Sequence, residues 1–172
     1  MERKQNVEVW VRPYQPSDHP RVKWLLERTP PWGRTYPAPQ PLPDDLEEPE
    51  ASYTGGCFVA LETDIGGEAV VVFLAVAVVE DEELPPFLEP SAARGRVHWC
   101  SVAPERWRLG IGRQLMRAGM GRLLNIGCES IILETTSTQE GAIALYESMG
   151  FLERGRTLNR IWTRVWIEYS AG

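Results

Sequence analysis

Val102-Ala103-Pro104-Glu105-Arg106-Trp107-Arg108-Leu109-Gly110-Ile111-Gly112-Arg113 is the stretch on which the fold turns. An apolar segment stops at a proline, passes through two glycines one residue apart, and enters Leu115, Met116, Met120, Leu123 and Leu124, which share one helical face. This predicts a strand from Arg96 to Val102, a loop, and a helix from about Gly110 to Asn125, with Gly127 at the left-handed position that ends it. Such a loop has the ingredients of an anion site. Glycines let the backbone come close, and the first N–H groups of a helix lack intrahelical partners and have the helix dipole behind them. Arg106, Arg108 and Arg113 would add positive charge, which makes a diphosphate the natural occupant.

On the C-terminal side, Ile131 to Thr135 reads as a strand. Ser137-Thr138-Gln139-Glu140 has the form of a capping box, opening a helix that Gly150 terminates. Phe151 to Arg154 and Ile161 to Tyr169 read as strands; in the last, Ile161, Thr163, Val165 and Ile167 alternate with Trp162, Arg164, Trp166 and Glu168. On the N-terminal side, Val7 to Arg12 forms a strand that ends at Pro13, and Ser17 or Asp18 caps a helix with Val22, Leu25 and Leu26 on one face. The proline-dense run Thr29 to Pro49 suits neither a helix nor a central strand and is expected as an irregular surface excursion. Cys57 to Glu62 and Glu68 to Val79 form an antiparallel hairpin through Asp64-Ile65-Gly66-Gly67. The second of these strands is almost wholly apolar, so both its faces should be covered. A loop, Glu80 to Gly95, leads back to the strand at Arg96. The element order demands an α/β fold with a mixed sheet and helices on both faces, one domain spanning residues 1–172.

Of the 172 residues, 43% are hydrophobic and 24% charged, with a formal net charge of −6, which suits one globular domain. Acidic residues gather in Asp44-Asp45-Leu46-Glu47-Glu48 and Glu80-Asp81-Glu82-Glu83, each read as a solvated loop. A field of that sign repels nucleic acid and favours a cationic amine as partner. The three cysteines, Cys57, Cys100 and Cys128, show no C-x-x-C spacing; neither a disulfide framework nor a metal site is expected, and a reducing cytoplasm fits. Met-Glu-Arg-Lys-Gln at the start has no apolar core, and no run reaches about 18 apolar residues, so secretion and membrane spanning are not expected.

Val102-Ala103-Pro104-Glu105 before the loop and Ala142-Ile143-Ala144-Leu145-Tyr146-Glu147-Ser148-Met149-Gly150-Phe151 after the next strand resemble the two diagnostic motifs of the GNAT superfamily of acetyl-CoA-dependent N-acetyltransferases. The resemblance covers about Arg96 to Phe151. It implies a splayed, mostly antiparallel mixed sheet of six to seven strands, with acetyl-CoA as cosubstrate in the V between two of them. Its pantetheine would pair with the strand ending near Val102, whose N–H would polarise the thioester carbonyl as an oxyanion hole does. Its pyrophosphate would sit on Trp107, Arg108, Leu109, Gly110, Ile111, Gly112 and Arg113. The sequence departs from the family at Trp107, where Gln or Arg is usual, and at Gln139, where asparagine is usual.

The resemblance also implies catalytic roles. Tyr146 matches the family's general acid. Leu133-Glu134-Thr135 resembles the Leu-Glu-Val segment of the ribosomal-protein N-terminal alanine acetyltransferases, in which a glutamate twelve residues before the tyrosine is the base; Glu134 and Tyr146 are also twelve apart. His98 is the rival base. It lies four residues before Val102, where polyamine-type relatives place an acidic residue, and an imidazole with an unperturbed pKa of about 6.5 takes a proton directly. Cys100, two residues on and expected to share the face of His98, reads as a small buried hydrophobe rather than a nucleophile. His19, beside Pro20, has no signal.

The implied activity is direct transfer of acetyl to a primary amine on a peptide or protein N-terminus, a lysine or a small molecule; a homodimer is left open. The spacing from Glu134 to Tyr146 favours protein N-termini, and the Thr29 to Pro49 excursion, if it covers the groove, a small amine. The alternative is a non-catalytic acetyl-CoA-binding regulatory module. A dinucleotide fingerprint is excluded, because Arg113, Gln114 and Leu115 follow Gly112 where G-x-G-x-x-G needs a third glycine.

Overall fold

The computed structural model describes residues 9–29, 43–64, 67–79, 84–158 and 162–171. Seven strands form one mixed sheet in the order β1-β2-β3-β4-β5-β7-β6. In chain order these are β1 (Val9–Pro13), β2 (Gly56–Asp64), β3 (Gly67–Val79), β4 (Arg94–Val102), β5 (Ser130–Thr136), β6 (Leu152–Leu158) and β7 (Thr163–Ser170). The helices are α1 (His19–Arg28), the short α2 (Pro49–Ser52), α3 (Ile111–Asn125) and α4 (Glu140–Glu147). All neighbouring strands pair antiparallel except β4 and β5, which are joined through α3 and run parallel.

The apolar run of β3 has the predicted consequence: residues 70–77 are buried without interruption, and the strand lies third in the sheet. On one face Leu74 and Val76 meet α3 at Gly119, where any Cβ would collide with Leu74 Cδ2. On the other, Phe73 meets Tyr14 edge-on with ring centroids 6.2 Å apart. The final strand differs from its pattern. Val165, Trp166, Ile167 and Glu168 are all buried, because β7 lies between β5 and β6 and has both faces covered; Ile161 falls outside the described residues.

Several boundaries are corrected by tertiary contacts. Asp18 stands at the start of α1 without capping it, since its carboxylate accepts two 2.7 Å bonds from Arg12 and one of 2.9 Å from Gln15 N. Arg12 thereby holds that carboxyl below its usual range, and the corner between β1 and α1 is pinned. The capping box at Ser137 does not form. Ser137 N donates to Thr163 O at 2.9 Å, which ties the residue to the end of β7 and leaves Gln139 at the helix start. Gly150 does end the α4 region, at φ 92°, with Phe151 N returning to Tyr146 O. β6 runs on to Leu158, beyond the expected Arg154.

The proline-rich excursion is more ordered at its end than its composition suggests. Residues 30–42 lie outside the described structure, as do Val7, Glu8, the turn residues Ile65 and Gly66, and the acidic run 80–83. Asp44–Leu46 forms a 3-10 turn and α2 follows, with Leu46, Pro49 and Tyr53 buried against the sheet. Apolar burial, not local propensity, orders this segment.

Candidate active site

β4 and β5 are paired only from Arg94 to Val97 and from Ser130 to Leu133. Beyond that they part, although β4 continues to Val102 and β5 to Thr136. The cause lies in β4. Ala75 faces Trp99 and Val76 faces Val97, so His98 is an extra residue with no partner on β3. Such a bulge bends its strand and increases the local twist. The result is a V whose β4 wall presents unpaired backbone. Ala103 N donates to Val71 O at 2.8 Å, so Ala103 faces β3, and by strand alternation the N–H and C=O of Val102 face away from β3 toward the gap.

The loop after Val102 turns through a 3-10 segment, Pro104–Arg106, and two left-handed residues, Arg108 at φ 63° and Gly110 at φ 79°. Gly110 stands at the N-terminus of α3 and has no side chain to cap that end, which leaves the first N–H groups of the helix for another acceptor. Gly112 lets three elements meet there: a Cβ on it would lie 3.2 Å from Val102 Cγ2 and 3.7 Å from Leu145 Cδ2 of α4. Of the three expected arginines, two are engaged elsewhere. Arg106 pairs bidentately with the buried Glu62, and Arg113 donates to Ser148 Oγ at 2.6 Å. Among the described residues Arg108 makes no ion pair. Trp107 is exposed, yet its indole Nε1 donates to Val102 O at 2.8 Å, so this departure from the family pattern folds back onto the strand rather than outward.

Tyr146 is buried on α4, its ring 6.1 Å from that of Phe151, with Cys100 of β4 as a neighbour of its hydroxyl. Burial raises its pKa well above the usual phenol value, with Cys100 adding to this, so the hydroxyl keeps its proton at any working pH. Burial likewise pushes the Cys100 thiol up to about 11, partly opposed by the neighbouring Tyr146 hydroxyl, so it is not a thiolate nucleophile at neutral pH.

Glu134 lies where β5 leaves β4. Arg96 Nη2 donates to its Oε1 at 2.9 Å, and Arg164 Nη1 of β7 stands 3.1 Å from Oε2 in a charge contact without hydrogen-bond geometry. Oε2 is thus a buried acceptor free of hydrogen bonds. The Arg96 guanidinium also lies over the Trp166 ring, 5.5 Å from its centroid. Gln139, at the start of α4, accepts from Thr135 Oγ1 at 3.2 Å.

His98 is exposed and packs on Tyr53, with ring centroids 5.0 Å apart. Desolvation, reinforced by Arg96 and opposed by Asp45, lowers its pKa to about 4, leaving the imidazole neutral at physiological pH. The expectation that His98 and Cys100 share a face is overturned. The bulge between them resets the alternation, so His98 turns with Trp99 toward Tyr53, whereas Cys100 turns to Tyr146.

Arg96, Arg164, Asp45, Tyr53 and Trp99 were not singled out from the sequence. Arg96 and Arg164 had one available signal, as cations on strands flanking Glu134; the others had none, since a bulge has no reliable single-sequence signature.

A family model described as "Acetyltransferase (GNAT) family" matches residues 19–151. N-acetyltransferase 8 of Homo sapiens is 30% identical over 145 residues, which cover 83% of this chain and 59% of that protein. The chain therefore spans about three-fifths of the length of this relative. Solved structures share the fold, two of them as follows. The ribosomal-protein-S18-alanine N-acetyltransferase from Escherichia coli superposes with a TM-score of 0.66 at 21% identity, covering 96% of this chain and 97% of that one. Arabidopsis thaliana NAA60 in complex with acetyl-CoA gives 0.69 at 17% identity, covering 95% and 100%.

Proposed function

The chain belongs to the acetyltransferase (GNAT) family, and on that premise we propose that it acts as one N-acetyltransferase domain, moving acetyl from acetyl-CoA directly to a primary amine. The observation that supports this best is the open V between β4 and β5, with the N–H of Val102 turned into it beside the uncapped start of α3. The same edge and helix end fit a pantetheine and a pyrophosphate, with the backbone from Trp107 to Arg113 as the phosphate loop and Gln139 near the cleft. Acetyl-CoA supplies an acetyl group on a thioester, whose carbonyl must be polarised and whose thiolate must be stabilised as it leaves.

In this reading the Val102 N–H donates to the carbonyl oxygen. Glu134 accepts the proton that an alkylammonium, with a pKa of about 10.4, must lose before it attacks. Its Oε2, which accepts no hydrogen bond among the described residues, is the accepting atom, while Arg96 on Oε1 and the charge of Arg164 beside Oε2 hold the carboxylate in place. As the new C–N bond forms and the C–S bond breaks, the Tyr146 hydroxyl, which burial keeps protonated, donates to the departing sulfur. Glu134→Gln should therefore lower kcat most at neutral pH, with a defect that shrinks as pH rises and more of the amine is already neutral. If Glu134→Gln matches the wild type while His98→Ala is crippled, the neutral imidazole is the base instead.

Release of free thiol from acetyl-CoA in the presence of alkylamines and of peptides with free N-termini tests the reaction. Absence of acetyl-CoA binding would end the proposal. Binding without thiol release would support a regulatory module, for which the engagement of Val102 O by Trp107 is the one favourable feature. Because relatives are named as N-acetyltransferases and one fold relative as acting on ribosomal-protein S18 alanine, a peptide or protein N-terminus is the first acceptor to try. The free cysteines Cys57, Cys100 and Cys128 suit a cytoplasmic setting.

Gly110→Val gives a further check. A β-branched residue at φ 79° is strained by about 1–3 kcal/mol. The loop should relax by distorting, and acetyl-CoA affinity should fall by about 5- to 150-fold in calorimetry. Unchanged affinity would place the pyrophosphate elsewhere.

A further inference from the structure

We propose that Asp45, Tyr53 and Trp99 form a hydrogen-bonded brace that sets one wall of the cleft, making Asp45 and Tyr53 positioning and specificity-determining residues for a protonated primary amine. The inference rests on the acetyl-transfer reading for its context, but its geometry stands independently. Asp45 belongs to the 3-10 turn Asp44–Leu46, Tyr53 follows α2, and Trp99 lies in β4 next to the bulged His98. The Tyr53 hydroxyl donates to Asp45 Oδ2 and accepts from Trp99 Nε1 at 2.5 Å, while the same indole N–H lies 3.3 Å from Asp45 Oδ2. Three side chains from three separate elements thus satisfy one another.

The bulge is what permits this. In a regular strand His98 and Trp99 would point to opposite faces, and only one could reach Tyr53. With the extra residue, the Trp99 indole meets the Tyr53 hydroxyl while the His98 ring rests on the Tyr53 ring. The other end of the brace is anchored in the core: Leu46, Pro49 and Tyr53 are buried, and Cys57 Sγ donates to Pro49 O at 3.5 Å. Asp45 therefore differs from its acidic neighbours Asp44, Glu47 and Glu48, which are exposed. Its second oxygen, Oδ1, makes no hydrogen bond among the described residues. A carboxylate set among tyrosine, tryptophan and histidine rings attracts an ammonium ion by charge and by the ring quadrupoles, and does little for an uncharged arylamine.

The test compares the wild type with Asp45→Asn, which keeps shape and removes charge, and with Tyr53→Phe, which keeps the ring against His98 and removes the brace. Melting curves establish that each variant is folded. Equilibrium binding of a primary alkylammonium is measured by calorimetry with acetyl-CoA present and absent, and acceptor KM and kcat are measured for that alkylamine and for an uncharged arylamine. We expect alkylammonium affinity to fall, and its KM to rise, by about tenfold in Asp45→Asn and about three- to tenfold in Tyr53→Phe, as loss of one partly solvated charge or hydrogen bond implies. The acetyl-CoA dissociation constant and the arylamine KM should stay within about twofold. Alkylammonium binding equal in the wild type and both variants, or an equal loss for both acceptor classes, overturns the brace as a specificity device. Binding that differs as expected with no acetyl transferred by the wild type would leave this inference standing and remove the acetyl-transfer reading.

Discussion

Tyr146→Phe should lower kcat for acetyl transfer by about 10²- to 10⁴-fold while leaving the acetyl-CoA dissociation constant nearly unchanged. The substitution keeps the ring against Phe151 and deletes only the buried hydroxyl. In the free protein Cys100 is a neighbour of that hydroxyl, whose proton burial holds in place. Its strongest contribution arises when the departing sulfur gains negative charge, an interaction absent from the ground state, so the loss belongs in kcat rather than in KM. The pH dependence separates it from the base. Burial raises the Tyr146 pKa above its ordinary value of 10, so the group binds its proton throughout pH 6 to 10 and its removal should cost the same factor across that range. Glu134→Gln should instead recover toward high pH. Cys100→Ala is the control: it removes the resting neighbour of the hydroxyl but not the hydroxyl, and should retain most of the activity. A Tyr146→Phe variant with wild-type kcat, or with a defect that vanishes at high pH, would remove Tyr146 from the acid's role.

Glu168→Ala should destabilise the fold by about 3–5 kcal/mol, the range for removing one partner of a buried ion pair, and lower the melting temperature by roughly 6–20 °C. Glu168 is buried on β7 and receives Arg94 Nη2 at 3.2 Å and Arg154 Nε at 2.9 Å. Arg94 is only 2% exposed and lies at the start of β4, where it also donates to Ser130 Oγ at 3.3 Å and to Glu89 O. Without Glu168 a guanidinium buried in the sheet loses a charged partner, and an ion whose partner is removed is the costly half of a buried pair. Arg94→Met combined with Glu168→Leu should recover much of the loss, since apolar replacement of both partners is often near neutral. The exposed pair Arg156 and Glu153 offers a contrast: Arg156→Ala should leave the melting temperature where it is. Because Arg94 and Ser130 are the first pair of the β4–β5 ladder, at the end away from where the strands part after Val97 and Leu133, this network holds the closed end of the V. A Glu168→Ala variant as stable as the wild type by urea titration would mean that water has replaced the lost partner.

What the sequence by itself determined is what local periodicity and backbone stereochemistry encode. The strand-loop-helix around Gly110, the helix-ending glycines at 127 and 150, the interior position of β3 and the hairpin before it all depend on residues within a few positions of one another, and they form as read. The acetyltransferase motifs are legible for the same reason, being short and contiguous. What only the tertiary structure decided is which distant group each polar side chain meets. Arg106 reads as a phosphate ligand until Glu62, 44 residues earlier in the chain, is found holding it. Ser137 reads as a cap until Thr163 takes its N–H, and Asp18 until Arg12 takes its carboxylate. The largest reassignment, of His98 away from Cys100 and onto Tyr53, comes from one extra residue in the β4 ladder. A sheet has a two-residue repeat along the strand, so a single unpaired residue exchanges the faces of everything beyond it. That residue is a matter of register between strands, a property of the pair that neither strand's own composition contains.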